Sequence, residues 1–219
     1  MSADEPSETH EEPSLEPPPP HVAELAVACI GYVQRSLGVE LDFTPETLPL
    51  LDHWLRQAKT EVRSLDVDKR EEPLIEAVVA PAGAYVGEVA RRLVRARWFC
   101  PPGEHRLWRI ELTEVFLSFN PVGLALEAVL GKEAEGFGAF FRVHPNDRAI
   151  AERAVANLPE VDEDEYYAPS SRIEVLQIVA DALAATHEEP RTYSEADYSG
   201  VRSEAIGAAL PLGQGPIEA

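Results

Sequence analysis

The chain has 219 residues, 39 Asp and Glu against 19 Lys and Arg, and a formal charge of −20. That length holds one domain with tails, and an apolar share of 45% is enough for a core. So strong a negative field repels phosphate backbones and anionic lipid. It argues against nucleic acid or a membrane surface as partner, and it fits either solubility alone or a basic protein surface.

Residues 1–20 carry six acids, no Lys or Arg, and end in Pro17 to Pro20. Low hydrophobicity with charge of one sign cannot offset ordering entropy, so a disordered acidic tail is expected. Val22, Leu25, Cys29, Val33 and Leu37 then recur at helical spacing up to Gly38, a natural C-terminal stop. A second helix is expected from Thr44, with the hydroxyl as cap and Pro45 in the first turn. Leu48, Leu51, Leu55, Ala58 and Val62 form its apolar face. Residues 64–72 read as a charged linker. Pro73 opens a third helical pattern through Leu74, Val78, Ala82, Tyr85, Val89 and Leu93, which Pro81 should bend or split. Gly83 and Gly87, four apart, offer a flat surface to a neighbouring element.

From Trp98 to Phe119 the period changes to two, which predicts two or three antiparallel strands. Trp108, Ile110 and Leu112 face one way, Arg109, Glu111 and Thr113 the other. Asn120-Pro121 starts a helix that Gly131 ends. Residues 132–143 fit helix and strand templates alike, with Phe137, Phe140 and Phe141 expected to be buried. A helix capped by Asn146 or Asp147 carries Ile150, Ala151, Val155 and Leu158. After an acidic loop, Ser170 or Ser171 opens a last helix with Ile173, Leu176, Val179, Ala180 and Leu183. The reading is an α+β domain over 21–188. It has five to six helices packed around a small antiparallel sheet, a disordered tail over 1–20 and a flexible C-terminal tail over 189–219.

Chemistry-bearing motifs are sparse. The six histidines (His10, His21, His53, His105, His144, His187) form neither HxxxH nor HExxH, and no nucleophile elbow or phosphate-binding glycine loop occurs. No metal, no cofactor and no catalytic residue is therefore expected. The acidic run Glu160, Asp162, Glu163, Asp164 and Glu165 lacks the spacing of a calcium loop and reads as a solvated loop. Glu111 and Glu114 fall on opposite strand faces, against paired acid–base work. Two cysteines, Cys29 and Cys100, without a CxxC pattern, a leader or a bilayer-spanning run, point to the cytoplasm.

One stretch stands apart. Tyr85, Glu88, Arg91, Arg92 and Trp98 gather donors and flat side chains in an otherwise acidic chain. They fit a binding site for an anion or acidic peptide, with arginine donors and aromatic walls. They also fit a structural cluster in which Glu88 pairs with Arg92 at i,i+4, the glycines pack on the sheet and Trp98 is core.

Leu41-Asp42-Phe43-Thr44-Pro45-Glu46-Thr47-Leu48, Ala84-Tyr85-Val86-Gly87-Glu88-Val89 followed by Trp98, and Asn120-Pro121 together span about residues 25–131. They resemble the "LD-aromatic-Ser/Thr" helix, the "AYLGEV…W" segment and the "NP" helix start of a loose group of small bacterial proteins, a domain of unknown function. That resemblance implies no activity. It implies a small single-domain partner of other bacterial proteins, some members being immunity-like. The extra arginines and the long acidic tail depart from the group's pattern. Two functions follow as expectations: a non-catalytic adaptor, regulator or immunity-type module that binds a basic protein surface, or a small-molecule or anion-binding enzyme using the Tyr85–Trp98 region.

Overall fold

A computed structural model describes residues 16–63, 71–186 and 191–202. The acidic segment 1–15, the linker 64–70 and residues 187–190 and 203–219 lie outside the described residues. Helix α1 (Pro20–Leu37) buries Val22, Ala26, Cys29 and Val33 and ends on Gly38 at φ 71°. Helix α2 (Leu48–Arg63) follows a single 3-10 turn over Pro45–Thr47. Thr44 does not cap it. The Asp42 carboxylate does the work instead, accepting from the Thr44 amide at 3.0 Å, the Thr44 hydroxyl at 2.7 Å and the Thr47 hydroxyl at 3.2 Å.

The third helical pattern is continuous but changes pitch. It runs as α3 (Glu71–Leu74), a π-helical turn (Ile75–Val79) and α4 (Ala80–Leu93). Pro81 has no amide hydrogen, and its ring would strike the carbonyl four residues earlier. A widened turn just before it relieves the clash without breaking the helix. α4 packs against α1, α5 (Pro121–Leu130) and the sheet, and residues 80–91 are all buried. Gly83 permits the α4–α5 approach: a Cβ there would lie 2.6 Å from Val122 Cα, so this glycine packs on α5 rather than on the sheet.

Strands β1 (Ala96–Phe99), β2 (Arg109–Leu112), β3 (Leu117–Phe119) and β4 (Arg142–Val143) form an antiparallel sheet in sequence order. The ambiguous stretch 132–143 thus resolves as turns ending in a short strand. Phe137 and Phe141 are buried and Phe140 is only half-buried. One sheet face presents Ala96, Trp98, Ile110, Leu112, Leu117 and Phe119 to the core. The other carries a polar row, Arg97–Glu111–Ser118–Arg142, in register across all four strands.

Alternation places this second face opposite the core-facing one, yet Arg109, Glu111, Ser118 and Arg142 are buried. A strap from the chain's C-terminal region provides part of the cover. Residues 191–202, assigned by composition to a flexible tail, include helix α9 (Glu195–Arg202). The Tyr193 amide donates to Thr113 O at 2.7 Å, and its carbonyl accepts from Arg97 at 2.8 Å. The Tyr198 hydroxyl enters the β2–β3 turn, accepting from the Leu117 amide at 3.0 Å and meeting Leu112 O at 2.8 Å, while its ring stacks on Phe116.

Helices α6 (Arg148–Val155), α7 (Glu163–Tyr166) and α8 (Pro169–Ala184) complete the domain. Neither Asn146 nor Asp147 caps α6 through its side chain; a 3-10 turn over Pro145–Asp147 leads into it. No serine side chain caps α8. Asp52, reaching from α2, accepts from the Ser170 amide at 3.3 Å, a cap supplied from another helix. An α+β fold with helices around a small sheet is what results. Among the described residues, no helix is long and apolar enough to cross a membrane.

Tyr198→Phe should lower stability by roughly 1–2 kcal/mol in urea unfolding, because the β2–β3 turn loses a buried hydrogen-bond partner. Asp52 gives a pH-dependent outcome. Burial pushes its carboxyl from 3.8 up to about 6, against the opposing Ser170 hydrogen bonds and the Arg56 charge. The fold therefore favours the neutral form, and this contribution is lost as pH rises from 3.8 through about 6. Urea midpoints should show the parent chain losing ground to Asp52→Asn across that window.

Candidate functional site

α4 is enclosed, so a carboxylate and a guanidinium on it must satisfy each other or be stranded. Glu88 is 1% exposed and Arg91 5%. The Arg91 fork donates Nε to Glu88 Oε1 at 2.8 Å and Nη2 to Oε2 at 2.9 Å, a bidentate pair one turn apart. Trp98 Nε1 donates to the same Oε1 at 2.8 Å. Arg91 Nη1 donates to Glu16 O at 2.7 Å, which fixes the end of the N-terminal segment. Burial alone would raise the Glu88 carboxyl. The bonds from Arg91 and Trp98, with the Arg91 and Arg92 charges, outweigh it and hold the group below its ordinary value.

The main partner of Glu88 is thus Arg91 at i+3, not Arg92 at i+4, which stands 3.6 Å away with an exposed side chain. Arg92 lies over the Phe43 ring at 4.1 Å, and Phe43 stacks on Tyr85 at 5.0 Å. The Tyr85 hydroxyl accepts from the Phe43 amide at 3.0 Å and meets the Thr47 hydroxyl at 2.6 Å. Phe43 has φ 65°, a left-handed conformation uncommon for an aromatic residue, and these contacts hold it there. Gly87 is required beneath Trp98, whose indole occupies the space a Cβ would take. Trp98 itself is half-buried, edge-on to the fully buried Trp108.

The five residues singled out by sequence therefore do come together, as one chain of contacts from Tyr85 through Phe43, Arg92 and Glu88 to Arg91 and Trp98. The polar atoms of Tyr85, Glu88 and Trp98, and the Arg91 fork, are bonded to protein groups, while the Arg92 side chain is exposed. The local basicity does not converge. Arg91 points inward, Arg92 covers Phe43, Arg95 pairs with Glu114 at 3.4 Å, and Arg97 pairs with Glu111 at 3.2 Å on the far side of the sheet. Chemically, the arrangement is suited to fixing α4, β1 and residues 41–47 relative to one another.

No known family matches the chain, and no curated protein or solved structure is significantly similar to it. The site must be judged on its own chemistry. Among the described residues, no three His, Cys, Asp or Glu side chains converge as metal ligands. Burial pushes the Cys29 thiol up to about 12 and the Cys100 thiol up to about 11, away from the reactive thiolate.

A concave feature lies elsewhere. Loop residues Leu158 and Val161, Tyr166 of α7, and Val175 and Ile178 of α8 line a groove of about 130 Å³. Sequence reading followed the core stripe of α8 through Ile173, Leu176 and Val179 and missed a second stripe. Ser171, Val175 and Ile178 recur at helical spacing on the adjacent face and are half-buried. Beneath them, Arg172 donates to Tyr166 O at 2.8 Å and to Glu127 at 3.0 Å, so one buried pair holds the groove wall.

Glu88→Gln should cost about 3–5 kcal/mol in urea unfolding, since it leaves the buried Arg91 charge unpaired. Arg92→Gln should stay within about 0.5 kcal/mol of the parent. Equal effects from both would show that the i+4 contact, not the i+3 fork, organises the cluster.

Proposed function

We propose that this protein is a non-catalytic, cytoplasmic interaction module, an adaptor, regulator or immunity-type protein, whose partner presents a basic protein surface. The observation that carries the reading is where the charges sit. Of the 15 Lys and Arg whose burial is described, five (Lys59, Arg91, Arg109, Arg142, Arg172) are buried. Of the 25 Asp and Glu whose burial is described, four (Asp52, Glu88, Glu111, Glu127) are buried. Among the described residues the core takes up about twice the share of the positive charge, and the surface carries an excess of carboxylates. Such an excess steers basic surfaces inward and repels phosphate and acidic lipid.

The competing reading, an anion-binding enzyme at Tyr85–Trp98, needs donors free to meet a ligand. Glu88, Arg91 and Tyr85 are instead buried and bonded to protein groups. Residues 1–20 add six acids and no Lys or Arg to the chain's negative charge.

Immobilised full-length chain should capture a stoichiometric partner from lysate of the source cell. Capture should fall at least tenfold between roughly 0.1 and 1 M salt, over which the screening length shrinks from about 10 Å to about 3 Å. A chain lacking residues 1–20 should retain the partner. Capture unaffected by salt would sink the electrostatic reading.

A further inference from the structure

The groove beside α8 gives the acidic surface a shape. Among the described residues no side chain fills its half-buried apolar lining, and its rim carries Glu165 and Glu174, both exposed. Glu160 and Asp162 stand exposed in the same loop. Among the described lining residues Arg172 is the one basic residue, and its charge is met by Glu127 beneath the Tyr166 ring. On the other side of α7, Lys59 pairs with Glu163 at 3.1 Å and Asp164 at 2.6 Å. These contacts join α7 to α2 and Tyr166 to α8.

We infer that this groove binds a partner segment in which one aliphatic side chain is flanked by Lys or Arg. The inference rests on the reading that the partner is a basic protein, and it names the surface and the chemistry. An apolar cavity of about 150 Å³ accommodates a benzene ring, so about 130 Å³ suits a single leucine-sized anchor. The carboxylates at the rim then meet the flanking cations, the arrangement of an apolar centre with a charged border.

The chain's own C-terminal segment is a poorer occupant. Residues 203–219 offer Ile206, Leu210, Leu212 and Ile217 but contain no Lys or Arg, and they add Glu204 and Glu218. A second copy is disfavoured by repulsion between two chains of charge −20. An anionic small molecule is repelled by the same rim.

The test uses the full chain and a short fluorescein-labelled peptide with one leucine between pairs of arginines. Two control peptides carry serine for the leucine, or glutamate for the arginines. Fluorescence anisotropy should show binding of the first peptide at least tenfold tighter than of either control. Ile178→Ser, and separately Glu165→Lys with Glu174→Lys, should each weaken it at least tenfold. Amide shifts of the unsubstituted chain on titration should cluster at 158–178, a readout that does not depend on any variant folding. Equal binding of the serine control, unchanged binding by both variants, or shifts clustered elsewhere would overturn the groove while leaving a cation-binding surface in place. No binding of the leucine peptide would also overturn it. Salt-sensitive capture from lysate would then leave the broader reading standing on another surface, and salt-insensitive capture would remove both.

Discussion

Residues 80–91 of α4 have no side facing water. Three neighbours, α1, α5 and the sheet, press on this one helix, and its sequence must supply a different surface to each. Glycines serve where backbone or indole comes closest: Gly83 under Val122 and Gly87 under Trp98. Apolar side chains such as Val86 and Val89 fill the remaining space. Glu88 and Arg91 are tolerable there because each completes the other. An unpaired charge in that position would cost several kcal/mol, a sizeable part of a domain's total stability.

The paired charges also transmit position. Through Trp98, Glu88 ties α4 to the first strand, and through Glu16, Arg91 ties it to the segment entering α1. Tyr85 does the same for residues 43–47 at the start of α2. The same logic recurs around Arg172 and Glu127, which join α8 to α5, and around Lys59, which joins α2 to α7. Buried basic residues in this protein act as tethers between elements. Their withdrawal from the surface leaves the exterior more one-sided than the composition suggests, and the proposed partner chemistry follows from that.

Local signals were legible wherever one residue's own backbone decides the outcome. Gly38 and Gly131 sit in left-handed conformations at helix ends, and Asn120 accepts from the Val122 and Gly123 amides as a cap should. The two central strands, β2 and β3, were legible from their alternation. The caps at Thr44 and Ser170 were misread because the true acceptors, Asp42 and Asp52, compete from two residues away and from another helix. Alternation placed Arg109 and Glu111 on the face opposite Trp108 and Ile110, but it records only chemical type and could not show that this face is covered. Burial of Arg109, Glu111 and Arg142 depends on what is laid over them, including a strap whose composition gives it no helical signature.

The sequence alone determined the α+β architecture, the helix boundaries set by proline, asparagine and glycine, and the gathering of Tyr85, Glu88, Arg91, Arg92 and Trp98 near one helix. These follow from period, from backbone geometry and from spacing within a few turns, all of which are local. Only the tertiary structure decided that Glu88 pairs with Arg91, that Arg95 and Arg97 leave the cluster, and that α8 carries a second apolar stripe beside the carboxylates of Glu165 and Glu174. Each of those depends on which surfaces meet across long sequence separations. Ion-pair choice and exposure are properties of the assembled neighbours, and no single segment encodes them.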